Sequence, residues 1–250
     1  MKGLGIMQLL RDNMSKEQQP IVAVRSQASD DTTIYVYDVI DSYWGASAQG
    51  LVTALEGANT AGTLHVHFNT PGGDVFEGRA MANILKQWKG AKVAHVDALC
   101  ASAGTTVALA CDEVVMYTGA FFMIHNAWTF AYGNKNDLTE TAALLDKIDG
   151  EIAADYVKAS GATVDQVQAW MDAETWFNAQ EAVDAGFAAR VGGEQADDED
   201  AQNRSRTWNL AAYAKAPKAL TSAPKPVFDA AAAYQNNVRR MRLLARTLQP

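Results

Sequence analysis

Apolar and polar positions along this chain fall into two rhythms that alternate from about residue 33 to residue 191. Thr33-Ile34-Tyr35-Val36-Tyr37-Asp38-Val39-Ile40 is β-branched and aromatic, the make-up of a strand. Ala46 to Gly57 switches to helical spacing, with Leu51, Val52 and Leu55 on one side. Thr63-Leu64-His65-Val66-His67-Phe68-Asn69 predicts a second strand, stopped by Pro71-Gly72-Gly73. Gly78 to Trp88 sets Met81, Ile84, Leu85 and Trp88 three and four apart, again a helix. Lys92 to Val96 reads as a strand and Ser102 to Ala110 as a buried helix of small residues. Strands over Glu113–Tyr117 and Ala120–His125 flank a Thr118-Gly119 turn.

The second half of the pattern is more helical. Asn136 to Ala159 predicts a long amphipathic helix with Leu138, Leu145, Ile148, Ile152 and Tyr156 as its apolar stripe. A shorter helix, Thr163 to Met171, precedes Thr175-Trp176-Phe177, a helix over Ala179–Ala185 and a last strand ending near Val191. Strand and helix alternating in this way specify an α/β domain with mostly parallel strands, over residues 31–193. Residues 1–30 are polar and mixed, an arm ahead of that domain. After Gly192-Gly193 an acidic linker, 194–201, leads to a basic tail, 202–250. Its first part, 202–226, is rich in Ala, Pro and Lys and is expected to lack order of its own, whereas Phe228 to Leu248 has the pattern of a terminal helix that folds against a partner.

Composition narrows the setting. With 250 residues, 48% of them hydrophobic, the chain can bury one sizeable core plus an appendage. No run of 18 apolar residues exists, so no membrane span is expected. Met1 to Ile6 lacks the apolar core of a secretory signal, which points to the cytoplasm. Cys100 and Cys111 fit neither a redox pair nor a zinc site, consistent with a reducing compartment. The net charge of −8 conceals a split: residues 1–201 hold 12 basic and 28 acidic side chains, whereas residues 202–250 hold nine basic against Asp229 alone. Such a tail implies a partner of its own. Nucleic acid is not the expected one, because Trp208 to Tyr213 is a single aromatic stretch and no nucleic-acid motif accompanies it.

Three short segments carry the chemistry. Asn69-Thr70-Pro71-Gly72-Gly73 leaves a strand with two glycines, Ala101-Ser102-Ala103-Gly104 sets a serine at a strand-to-helix junction, and Met123-Ile124-His125 ends a strand on a histidine. Acyl transfer needs an oxyanion site, a nucleophile and a base, and these segments can supply them in that order. A lone serine at a helix start is ordinarily a cap, and Cys100 is a second nucleophile candidate in a poorer context. His65 and His67 share one strand face. No third ligand lies near them in sequence, so neither a metal nor a cofactor is expected, and a binding surface is the better role.

With Trp176-Phe177-Asn178-Ala179-Gln180-Glu181-Ala182-Val183-Asp184-Ala185-Gly186-Phe187 added to these motifs, the chain resembles the Clp protease proteolytic subunit (ClpP) family from about residue 33 to 192. The resemblance implies the ClpP/crotonase-like fold, repeated β-β-α units with a protruding helix-containing handle. It implies Ser102 as nucleophile, His125 as base and the backbone N–H groups of Gly73 and Ala103 as oxyanion donors. Gapless alignment back from Gly186 puts Glu174 at the family's acid position, with Asp172 as second choice. Peptide would lie extended beside Gly72, Asp74 and Val75. The long helix would meet a second ring of subunits in a homo-oligomer of stacked rings.

At the acid position the family carries an aspartate where this chain has Glu174, and two further departures touch assembly. His65 and His67 stand where family members place aromatic residues that receive an unfoldase ATPase, and Ala173 stands where they carry a ring-pairing arginine. The layout of protease, linker and extra tail resembles phage head-maturation proteases. The reading is therefore a serine endopeptidase acting on polypeptides, with scaffold or capsid proteins as partners of the tail, in host cytoplasm or phage prohead. A proteolytic subunit working with an ATP-dependent unfoldase is one alternative. Others are a crotonase-like acyl-CoA enzyme, disfavoured by the Ser102 and His125 pair, and a non-catalytic scaffold-binding module.

Overall fold

The computed structural model describes residues 29–193 and 208–221, together with Leu9, Asp12, Asn13, Ile21 and Ala23–Arg25. Eight strands form one sheet: β1 Ala23–Arg25, β2 Thr32–Val36, β3 Leu64–Thr70, β4 Lys92–Ala101, β5 Glu113–Met116, β6 Phe121–Ile124, β7 Thr175–Asn178 and β8 Arg190–Val191. Seven helices accompany them among the described residues: α1 Ala48–Leu55, α2 Val75–Gln87, α3 Ala103–Ala108, α4 Lys135–Ser160, α5 Val164–Asp172, α6 Ala179–Asp184 and α7 Lys218–Thr221. Strand order is β1-β2-β3-β4-β5-β8, with β6 paired to β4 and β7. Only β1–β2 and β6–β7 pair antiparallel, so the sheet is mostly parallel, as expected of alternating strands and helices.

Local chemistry explains where the elements start and stop. Ser47 caps α1 by accepting the Gly50 N–H at 3.0 Å, and Asp74 caps α2 by accepting that of Glu77 at 2.8 Å. A reciprocal capping box between Asn134 and Asp137 opens α4, and Gly161, at φ 71°, ends it in the left-handed region. β3 alternates with period two: Leu64, Val66 and Phe68 enter the main core, leaving His65 and His67 on the other face.

β4 is longer than the Lys92–Val96 strand expected from sequence, and its length positions the site. Its first half pairs with β5 through Val93–Val96, and its second half pairs with β6 through Leu99–Ala101. A register shift between Phe68 and Thr70 on β3 accommodates this change of neighbour. Ala101 therefore ends beside Met123, and the residues that follow the two strands, Ser102 after β4 and His125 after β6, meet.

Described segments on both flanks add to the domain. β1 and the buried Leu9, Asn13 and Ile21 show that the arm ahead of residue 31 is partly built into the fold. Within the segment read as a tail, Trp208, Leu210 and Tyr213 are buried and pack with Leu9, Val39, Leu99, Ala101 and Met123 into a second apolar cluster. Burial of three large side chains outweighs the ordering cost that the Ala/Pro/Lys composition suggested. The acidic linker and the terminal helix pattern over Phe228–Leu248 lie outside the described residues.

Candidate active site

Ser102 follows β4 directly and opens α3. Its backbone sits at φ 53°, ψ −123°, a region that side chains other than glycine rarely enter. The Ser102 N–H donates to Met123 O at 2.9 Å, holding the turn against β6. Strain of this kind persists only where surrounding structure fixes it, and here it lifts the hydroxyl toward His125. Ser102 Oγ and His125 Nε2 are 2.7 Å apart.

Beside this pair, Gly72 and Gly73 adopt φ 86° and 154°. A Cβ on Gly72 would stand 2.6 Å from Ala101 O, and one on Gly73 would stand 2.1 Å from Ile40 O, so only glycine fits either position. Ile40 N–H donates to Gly72 O at 2.9 Å and Asp74 N–H donates to Ile40 O at 2.8 Å. Pairing through those flanking groups leaves the Gly73 N–H without a partner among the described residues, and the same is true of the Ala103 N–H at the head of α3. Gly73, Ala103, Ser102 and His125 all line one cavity of about 270 Å³, whose far wall is the apolar side of α4, including Leu145, Ile148 and Ile152. Asp74 and Val75 line it as well. Gly72 lies behind, against Ser102.

Burial pushes His125 down to about 4, with the charge of Glu174 acting in the opposite direction. The imidazole is therefore neutral at pH 7 and able to accept a proton. Trp128 and Tyr213 present ring edges to it at centroid distances of 5.8 and 5.4 Å. Neither candidate carboxylate makes a hydrogen bond to His125. Asp172 accepts from Asn126 Nδ2 at 2.7 Å. Glu174, itself at φ 49°, accepts from Trp176 Nε1 at 3.3 Å and from the backbone N–H groups of Ala214 and Lys215 at 2.9 and 2.6 Å. Of the two, Glu174 is the carboxylate whose charge reaches the base.

Cys100 is not poised for attack: full burial pushes its thiol far above the usual range, and Cys111 is pushed up to about 12. On the far face of the sheet His65 and His67 join a polar row. His65 Nδ1 and His95 Nε2 are 3.0 Å apart, the rings of His67 and His95 stack at 4.5 Å, and Asp97 takes a bond from Tyr37 at 2.6 Å and contacts His67 Nδ1 at 3.0 Å. Among the described residues no group of three or more His, Cys, Asp or Glu is arranged to hold a metal ion.

A strained serine stands against a histidine in a cavity also lined by Gly73 and Ala103, the arrangement of a serine hydrolase. The chain belongs to the Clp protease family, whose family model matches residues 15–195, and is a ClpP-like serine peptidase. It is similar to the ATP-dependent Clp protease proteolytic subunit of Bacteroides fragilis, 26% identical over 178 residues that cover 67% of this chain and 82% of that protein. The ATP-dependent Clp protease proteolytic subunit 1 of Leifsonia xyli is 28% identical over 130 residues, 51% of this chain and 66% of that one. The fold matches a solved ClpP1 mutant from Listeria monocytogenes at TM-score 0.55 and 20% identity, over 65% of this chain and 92% of the other.

Proposed function

We propose that the chain cleaves polypeptides through Ser102 and His125, and the 2.7 Å contact between them is the observation that carries this reading. Ser102 Oγ attacks the scissile carbonyl carbon as its proton passes to His125 Nε2. The carbonyl oxygen gains the negative charge and is held by the Gly73 and Ala103 N–H groups. Collapse expels the amine, which takes the proton from His125, and a water molecule repeats the sequence to release the acid and restore Ser102. Glu174 stabilises the imidazolium by its charge. Substrate backbone lies beside Gly73, Asp74 and Val75, Gly72 serving from behind as part of the turn, and the apolar wall from α4 receives a side chain next to the cleaved bond. Labelling with a fluorophosphonate probe tests this: wild type labels, Ser102→Ala does not, and equal labelling of both would overturn the role of Ser102.

The biological setting we propose is head maturation in a phage, with scaffold and capsid proteins as substrates and the basic tail as the recruiting element. The support is the polar pair His65 and His67 at positions where the family resemblance implies aromatic docking residues, and the charge opposition between domain and tail. The subunits assemble as stacked rings, α4 meeting the second ring. Partnership with an ATP-dependent unfoldase is the second reading, favoured by relatives named as subunits of ATP-dependent proteases. Degradation of casein by the purified protein without nucleotide supports the first. A strict requirement for an unfoldase and ATP supports the second. No helix among the described residues is long and apolar enough to cross a membrane.

A further inference from the structure

The segment 208–216 crosses the back of the catalytic pair, and none of its residues lines the cavity in front. It touches the strand end and turn ahead of the two glycines, the base, and Glu174. Trp208 Nε1 donates to Asn69 Oδ1 at 2.8 Å, and the Tyr213 hydroxyl donates to Pro71 O at 2.5 Å. Asn69 lies near the end of β3 and Pro71 in the turn that follows it, just ahead of Gly72 and Gly73. Burial pushes the Tyr213 phenol far up, so it remains a donor at every working pH. The same ring lies edge-on to His125 at 5.4 Å and stands at 80° to Trp176 at 5.7 Å.

The segment is tied down at both ends. Asn13 and Asn209 exchange two bonds, Asn13 Nδ2 to Asn209 O at 2.8 Å and Asn209 N–H to Asn13 Oδ1 at 2.7 Å. At the other end Glu174 takes the Ala214 and Lys215 N–H groups, and Lys215 Nζ donates to Ala173 O. The carboxylate expected to hold the base thus holds the strap that lies against the base.

We infer that this strap is an internal clamp for catalysis. Tyr213 is a positioning residue, its hydroxyl fixing the Pro71 peptide and through it the aim of the Gly73 N–H, its ring fixing the plane of His125. Glu174 acts by seating the strap as well as by its charge. A glycine pair has no side chains to limit its backbone, so bonds from outside must do so. Paired to Ile40 on one side and bonded to Tyr213 on the other, the turn has one arrangement. A misplacement of about 1 Å at such a site costs on the order of a hundredfold in rate. The inference rests on Ser102 and His125 being the reacting pair.

Full-length Tyr213→Phe, Tyr213→Ala and Glu174→Gln, with Ser102→Ala as control, separate the contributions. Tyr213→Phe keeps the ring and loses the hydroxyl that meets Pro71 O and the Ser102 side chain: kcat for a small peptide ester should fall about tenfold with KM little changed, and the pH profile should hold its shape. Tyr213→Ala also admits water beside His125, so kcat should fall about a hundredfold and the acid limb should move up toward 6.5. Glu174→Gln should release the strap, read as increased cleavage after Lys215 by trypsin. Melting curves establish that each variant is folded, and the pH shift separates loss of positioning from loss of structure. Should Ser102→Ala be inactive while both Tyr213 variants keep wild-type kcat and pH profile, the clamp is overturned and the peptidase reading stands. An active Ser102→Ala would remove the peptidase reading itself.

Discussion

The hydroxyls of Thr105 and Tyr156, from α3 and α4, lie 2.6 Å apart in the core. Thr105 also donates to Ser102 O at 2.6 Å, so its one hydrogen is committed and Tyr156 must be the donor to it. This relay joins the long helix to the peptide that follows the nucleophile. Tyr156→Phe removes the donor while leaving the Thr105 bond to Ser102 in place. Stability should fall by about 1 kcal/mol, read from the denaturant midpoint, with slower probe labelling of Ser102. An unchanged midpoint and labelling rate would show that the relay does not couple the two helices.

Position 102 should favour glycine for stability and serine for activity. At φ 53°, ψ −123° a Cβ is strained, so Ser102→Gly should be more stable than Ser102→Ala by roughly 1 kcal/mol although both are inactive. Equal melting temperatures for the two would argue that the turn relaxes in the variants.

Gly73→Ala should be inactive for a reason unrelated to the reacting groups. Its new Cβ would fall 2.1 Å from Ile40 O, a backbone atom that cannot swing aside. The Gly73 N–H must turn from the cavity, and kcat should drop by about a hundredfold or more. Near-normal turnover by Gly73→Ala would remove that N–H from the mechanism.

Acid should weaken the fold before ordinary carboxylates titrate. Burial holds His95 at about 3 and His125 at about 4, against 6.5 for unfolded histidine. On acidification the unfolded chain binds protons first, so stability present above pH 6.5 is lost as pH falls toward those folded values. The melting temperature should decline already between pH 6.5 and 5, and His95→Gln should flatten that slope. A flat wild-type profile over this range would contradict the buried neutral histidines. By the same shift, the acid limb of kcat/KM should lie near 4.

That Ser102, His125 and Gly73 come together was legible because each is announced by local chemistry: small residues around a strand-to-helix junction, a strand ending in histidine, a Gly-Gly turn. The helix α4 was legible over nearly its whole length, since 26 residues of amphipathic spacing leave few alternatives. The extension of β4 to Ala101 was not, because Asp97 and Ala98 interrupt the apolar pattern where the strand changes partner. Nor was the strap. Its surroundings of Ala, Lys and Pro read as solvated chain, and the signal within them, Trp208, Leu210 and Tyr213, has no periodicity long enough to name an element. Glu174 was singled out only by alignment to the family it resembles, and its bonds to Ala214 and Lys215 depend on chain about 40 residues away.

The Asn13–Asn209 exchange brings the two flanks of the domain together beside the site. While the polypeptide through residues 194–207 is intact, strap and domain meet at an effective concentration in roughly the millimolar range. A single cut there would leave every contact in place yet make the association bimolecular, so that dilution alone could unload the clamp. Proteolysis of one flank would then set a clock whose rate is the dissociation of a bound peptide rather than the cleavage that started it.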